Sequence, residues 1–318
     1  MSKASDIKQY LKLLKAMNSR KEGNDMGIPI TKGKIETAKK VVIYGPEGIG
    51  KSTLASQFPD PVFIDTEGST KELDVARYPA PETWNDVITD VNDFIENMPG
   101  KTLVIDTADW LEQLCIAQTC VDQRVKGIED IGYGKGYVYL AEKFQAFLAK
   151  CNDLIDQGVN VVFTAHAMMR KFEQPDEMGA YDRWEMKLTK KVAPLLKEWA
   201  DLVLFCNYKT DVITDSNTKS KKATGGKRVM YATHHPCWDA KNRYGLPDQL
   251  LMEFSNIKHL FEGIEQKAKE PDYRVKLREY MKDMTQEQKQ ALVKEHGISV
   301  RTTNEEYKAI YNKLTGGN

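Results

Sequence analysis

The chain has 318 residues, 41% of them hydrophobic, and its 46 Lys and Arg balance 46 Asp and Glu. That length suits one α/β core with a small appendage, and zero formal net charge excludes a global basic field, so any nucleic-acid contact must come from local patches. No apolar run approaches membrane-spanning length and residues 1–6 lack a signal-peptide core, so a cytoplasmic protein with no membrane partner is expected.

Residues 1–36 are polar, with one helical stretch. In it Ile7, Tyr10, Leu11, Leu13 and Leu14 fall roughly on one face and Lys8, Lys12 and Lys15 on the rest. Residues 18–25 then read as a flexible link, and the helix is suited either to this chain's core or to a neighbour's. Residues 37–250 alternate strand and helix signals. Strands are predicted over 40–44, 61–65, 101–106, 159–165, 201–207 and 228–234. All but the first and last are nearly continuous apolar runs, as strands buried on both faces require. Helices are predicted over 51–58, 83–97, 108–124, 137–157 and 188–199, which gives an α/β doubly wound layout with a largely parallel sheet. Ser69 and Glu72 have the spacing of a helix-capping box.

Residues 209–228 break the alternation. They are polar, contain glycine and become basic in their second half, so they read as a long loop between two strands. It is either a solvated hairpin tip or a nucleic-acid contact through Lys219, Lys221 and Lys222. Residues 251–318 form a small, highly charged helical module. One helix is expected over 272–283 after Pro271. Others start near 286 and 304, where Thr285 with Gln288 and Thr303 with Glu306 have capping-box spacing; Gly297 fits the end of the helix from 286. The five cysteines are Cys115, Cys120, Cys151, Cys206 and Cys237. Their odd number and the lack of C-x-x-C spacing argue against disulfides or a zinc knuckle, and His234-His235-Pro236-Cys237 lacks a full ligand set.

The chemistry begins at residues 45–52, Gly-Pro-Glu-Gly-Ile-Gly-Lys-Ser, a complete G-x-x-x-x-G-K-[ST] loop between a predicted strand and a predicted helix. Gly45, Pro46, Glu47, Gly48, Ile49 and Gly50 form the loop that points backbone N–H groups at phosphate oxygens. Thr53 continues into the helix, whose N-terminus adds its positive dipole end. Lys51 is placed for the β- and γ-phosphates and Ser52 for Mg²⁺, so ATP with Mg²⁺ is the expected ligand. Asp106 ends a buried strand where a carboxylate holds the Mg²⁺ shell, directly or through water. The strand after the loop's helix ends in two acids, Asp65 and Glu67. A carboxylate there either orients an attacking water as general base or caps the next helix. His166 ends the strand over 159–165, where a histidine is either structural or free to donate a hydrogen bond to phosphate or couple to DNA binding.

The order of the loop at 45–52, Asp65-Thr66-Glu67 and Val104-Ile105-Asp106 resembles the core of the RecA family of recombination ATPases. That resemblance implies Glu67 as catalytic base and His166 as γ-phosphate sensor. It implies DNA-binding loops at two places: residues 126–137, with Lys126, Tyr133, Lys135 and Tyr137, and the segment from Met168 through Trp184, with Arg170 and Lys171. It also implies a pair of cations, Lys241 and Arg243, reaching a neighbouring subunit's γ-phosphate in a ring or filament. The phrases Asp-Thr-Glu-Gly, Gly-Tyr-Gly-Lys-Gly-Tyr, Thr-Ala-His and Ala-Lys-Asn-Arg-Tyr-Gly-Leu-Pro are most similar to phage-type, shortened RecA-like ATPases, including single-strand annealing recombinases. The resemblance covers roughly residues 38–250. It implies an ATPase that binds single-stranded DNA, self-associates and promotes annealing or strand exchange, with a single-strand DNA-binding protein as a further partner. An ATP-dependent motor or loader in replication or packaging is the second expectation, and a small-metabolite kinase the third.

Overall fold

The computed structural model describes residues 32–173, 179–214, 221–263, 273–282, 284–299 and 302–315. The chain divides into two units, Met1–Glu36 and Thr37–Asn318. The predicted N-terminal helix lies outside the described residues.

In the second unit the strands are β1 Lys40–Gly45, β2 Pro61–Asp65, β3 Ala76–Arg77, β4 Thr102–Asp106, β5 Asn160–Glu173, β6 Ala180–Met186, β7 Leu202–Thr214, β8 Lys221–Tyr231, β9 Lys241–Asn242 and β10 Gln249–Leu251. The helices are α1 Lys51–Ala55, α2 Trp84–Asn97, α3 Ala108–Gln123, α4 Lys135–Asp156, α5 Val192–Trp199, α6 Tyr273–Tyr280, α7 Gln286–Glu295 and α8 Asn304–Thr315. The sheet order is β10-β8-β7-β1-β5-β4-β2-β3, with β6 paired to β5 and β9 to β7. Strands β7, β1, β5, β4, β2 and β3 run parallel; β6, β8, β9 and β10 pair antiparallel. The fold is therefore α/β with a largely parallel sheet, as the alternation of elements requires.

Alternate residues of β1 feed two cores, one on each face, because successive strand side chains point to opposite sides. Val42 and Tyr44 join Val87, Leu111 and Phe144 of α2, α3 and α4. Val41 and Ile43 join Ile49, Leu54 and Phe58. Phe58 also meets Phe254 and Phe261, with ring centroids 4.9 and 4.7 Å apart, so the chain beyond β10 returns to cover the second face. Burial of each such side chain stabilises by about 1.5–3 kcal/mol. Helix α2 begins where Thr83 and Asp86 form a reciprocal capping box, and Thr285 with Gln288 does the same for α7.

Three local expectations are corrected. Residues 209–228 are not a long loop: β7 continues to Thr214 and β8 starts at Lys221, forming an antiparallel arm bulged beside Lys209 and Thr210. The stretch has no continuous apolar run, so its β-branched but polar residues gave no strand signal. Lys221 and Lys222 thus lie on β8, while Lys219 lies outside the described residues. The segment after His166 is likewise a ladder: Ala167–Glu173 pairs with Ala180–Met186, so Arg170 and Lys171 sit on a hairpin strand. Finally, no helix follows Ser69, because Asp65 takes the backbone donors there.

Candidate active site

Strand β1 delivers its last residue into a crowded place. A Cβ on Gly45 would lie 2.3 Å from the Cys206 carbonyl oxygen of β7, so only glycine lets the end of β1 approach β7 this closely. The loop then turns through Gly48 and Gly50, at φ 71° and 102°, and enters α1. Ile49 is fully buried in the second core and anchors the loop from below. Lys51 is buried too, and its Nζ donates to the Gly45 and Pro46 carbonyls at 3.1 and 3.0 Å. Burial lowers its pKa, while Asp106, Asp109 and Glu67 act in the other direction.

Beside the loop, β2 and β4 are clamped together just past their ends. Thr66 N–H donates to the Asp106 carbonyl at 2.8 Å and its Oγ1 to the Thr107 carbonyl at 2.8 Å, while Thr107 N–H returns a bond to Thr66 Oγ1 at 2.9 Å. The two acids of β2 then part ways. Asp65 accepts from the Gly68, Ser69 and Thr70 N–H groups at 2.7, 3.2 and 3.0 Å and from Thr70 Oγ1 at 2.6 Å. Burial raises its pKa, but these bonds outweigh that and leave it below the ordinary aspartate value. Asp65 is the staple of a turn. Its contribution is complete above the unfolded-state pKa, about 3.9, and is lost as pH falls through its lowered folded value. Asp65→Ala should cost about 2–4 kcal/mol, since three backbone donors lose their acceptor, and a urea melt measures it.

Asp106 is fully buried, which pushes its pKa up, against hydrogen bonds from Thr164 and Ser52. Ser69 Oγ adds a bond to Oδ2 at 3.4 Å. Strand β5 lies between β1 and β4 and places His166 level with Gly45. The backbone N–H of His166 donates to Asp109 Oδ1 at 3.0 Å, its Nδ1 lies 2.9 Å from Asp109 Oδ2, and its Nε2 lies 3.8 Å from Glu67 Oε1. Burial raises the Glu67 pKa and His166 pulls it back. A general base acts deprotonated, so turnover should rise with pH through a limb above the ordinary glutamate value. His166→Gln removes the restraint, and the limb in a pH–kcat profile should move to higher pH.

A cleft of about 380 Å³ lies here, with Glu47, Gly48, Gly50, Lys51, Ser52, Thr53, Glu67, Thr107 and His166 on its walls. A triphosphate fits this donor set. The space above Gly48 is open, Gly48, Gly50 and Lys51 line the cleft, and the Ser52 hydroxyl touching Asp106 suits Mg²⁺. The family model of the AAA domain matches residues 37–244. The chain belongs to the AAA domain family.

No curated protein matches it. Among solved structures, the KaiC-like protein of Pyrococcus horikoshii OT3 is 14% identical, with a TM-score of 0.32 over 64% of this chain and 88% of that one. The flagellar accessory protein FlaH of Methanocaldococcus jannaschii is 11% identical, with a TM-score of 0.31 over 63% and 79%.

The remaining sequence-derived residues of this AAA domain lie outside the cleft. Lys241 Nζ donates to the Lys197 and Glu198 carbonyls at 3.3 and 2.9 Å, and Arg243 pairs with Asp201 at 2.6 Å. Strand β9 pairs with the start of β7, level with the start of β1, so both cations stand at the opposite end of the sheet from Gly45. Tyr133 is fully exposed with φ 57°, flanked by the exposed Lys126 and Lys135. Tyr137 differs: it packs on the first core and donates its hydroxyl to Glu129. Arg170 donates to the Leu188 carbonyl at 3.0 Å, and with Lys171, Lys190 and Lys197 it lines a second cleft of about 350 Å³. Sequence reading missed Asp109, Thr66, Thr107 and Arg228. Asp109 was findable, three residues after Asp106 and in the first turn of α3; Arg228 carried no signal. Among the described residues no cluster of His, Cys, Asp or Glu is arranged to hold a metal, and no helix is long and apolar enough to cross a membrane.

Proposed function

We propose that this AAA domain hydrolyses ATP in the cleft and couples hydrolysis to single-stranded DNA, promoting annealing or strand exchange as a homo-oligomer of the phage recombinase type. The observation that carries hydrolysis is Glu67: its carboxyl faces the cleft beside His166, while Asp65, the competing acid, is consumed by its turn. Mg²⁺, when held by Ser52 and Asp106, neutralises phosphate charge. Lys51 exchanges its two loop carbonyls for the β- and γ-phosphate oxygens. Glu67 orients a water and takes its proton, and His166, braced by Asp109, holds Glu67 from the side and answers to the γ-phosphate.

The DNA part of the reading is supported by Tyr133 between Lys126 and Lys135, which offers a stacking face between two phosphate contacts. The hairpin cations Arg170 and Lys171, with Lys219, Lys221 and Lys222, are further candidates for phosphate contact. Lys241 and Arg243 stand away from their own cleft, so a role for them in phosphoryl transfer is one toward a neighbouring subunit. The test is ATP hydrolysis with and without single-stranded DNA, beside annealing of complementary strands, over a salt series. DNA should raise turnover, and the stimulation should fall with salt because binding to single strands releases counterions. Joint replacement of Lys126, Tyr133 and Lys135 by alanine should reduce it. Turnover indifferent to DNA at every salt concentration would sink the coupling. Translocation without annealing would favour a motor or loader, and a phosphorylated small product would favour a kinase.

A further inference from the structure

Arg228 belongs to β8, which is separated from β1 by β7, yet its side chain meets the phosphate loop. Its Nη1 donates to the Ile49 carbonyl at 3.2 Å. It lies so close to the next residue that a Cβ on Gly50 would stand 2.8 Å from it. The backbone that aims it is well held: Arg228 pairs with Tyr208 across the ladder, and its carbonyl accepts the Met252 N–H at 3.0 Å. Just before it the arm is bulged. Lys227 faces Lys209 while Gly225 faces Thr210, and Gly225 and Gly226 take φ 135° and 121°. A bulge of this kind re-aims the side chains beside it.

In a trans peptide the carbonyl and the next N–H point in opposite directions. Holding the Ile49 carbonyl against the guanidinium therefore turns the Gly50 N–H the other way, and Gly50 lines the cleft. The loop on either side is already fixed: the Ile49 side chain is buried in the core, and the Gly50 carbonyl accepts the Leu54 N–H at 2.9 Å. The peptide between them is the remaining freedom, and Arg228 removes it. At φ 102° Gly50 has the rotational latitude to make that restraint necessary.

Given the ATP site proposed above, we propose that Arg228 is a positioning residue for that site: it pre-orients the Gly50 N–H toward the phosphates and so sets triphosphate affinity rather than the rate of the chemical step. The side chain is exposed and belongs to neither core, so its replacement should leave the melting temperature unchanged.

The test compares wild type, Arg228→Ala, Arg228→Gln and Arg228→Lys in equilibrium binding of a non-hydrolysable fluorescent ATP analogue and in steady-state turnover. The alanine and glutamine variants should bind the analogue about tenfold more weakly, the scale of one charge-assisted hydrogen bond, and raise KM for ATP to match. Their kcat at saturating ATP should stay within about threefold of wild type, since a contact shared by ground and transition states does not alter the chemical step. Lysine, which keeps a cationic donor, should restore affinity to within about threefold. Alanine-variant affinity within twofold of wild type would overturn the proposal, as would a fall in kcat with affinity unchanged, or a lysine variant no better than alanine. If alanine lowers the melting temperature, the glutamine variant decides by the same readout. Wild type that binds the analogue but turns over no ATP would sink the hydrolytic reading alone and leave this comparison standing.

Discussion

Glu67→Gln protein should retain bound nucleotide while ATP turnover falls by about two orders of magnitude or more. Glutamine keeps the size of the side chain and a hydrogen-bonding oxygen, so the cleft wall between the loop and His166 is preserved. It cannot accept the proton of an attacking water. Burial makes the loss complete: the carboxyl sits where its charge is disfavoured, its pKa is raised, and it is correspondingly a stronger base than an exposed glutamate. The melting temperature should not move, because Glu67 makes no contact comparable to those of its neighbour. Asp65→Asn should do the reverse, lowering the melting temperature through the 68–70 turn. Single-turnover measurements with nucleotide binding in parallel separate the two. A folded Asp65→Asn protein that has lost turnover, beside a Glu67→Gln protein that has kept it, would transfer the role of base to Asp65.

Lys51→Ala should abolish measurable hydrolysis and weaken triphosphate binding by about 10- to 100-fold, the scale of a lost charge-assisted hydrogen bond to phosphate. The ammonium is buried and satisfied by the Gly45 and Pro46 carbonyls, so it is stored beside the cradle at a desolvation cost that phosphate contact offsets. Removing it should not unfold the protein, since Asp106, which loses a neighbouring cation, keeps its hydrogen bonds from Thr164 and Ser52. Normal turnover in this variant would refute the loop's assignment. The same protein tests the proposed neighbour role of Lys241 and Arg243. Mixed with the Lys241→Ala, Arg243→Ala double variant, itself expected to bind ATP but hydrolyse it poorly, it should recover activity at interfaces that pair an intact loop with an intact cation pair. A fully active double variant would remove the pair from catalysis. Failure of rescue despite verified mixed assembly would assign it to the contacts it makes within its own subunit, with the end of α5 and with Asp201.

The phosphate loop was readable residue by residue because its function is local. Consecutive backbone N–H groups, two turning glycines and the start of a helix lie within a few positions of one another, and the flanking apolar runs identify strand and helix unaided. The buried strands of the parallel sheet were readable for a similar reason: burial on both faces demands an unbroken apolar run. Ladders built from polar residues carry no such run, so the β7–β8 arm and the β5–β6 hairpin looked like loops. Local pattern alone did not separate Asp65 from Glu67, since both end the same strand two residues apart; the resemblance named Glu67, and the structure adds that Asp65 spends its oxygens on the donors of residues 68–70. The tie between Asp109 and His166 spans 57 positions and the contact of Arg228 with Ile49 spans 179. Such pairs exist because the sheet order sets β5 beside β4 and brings β8 within one strand of β1. Strand order is set by packing over the whole domain, and no short stretch of residues contains it.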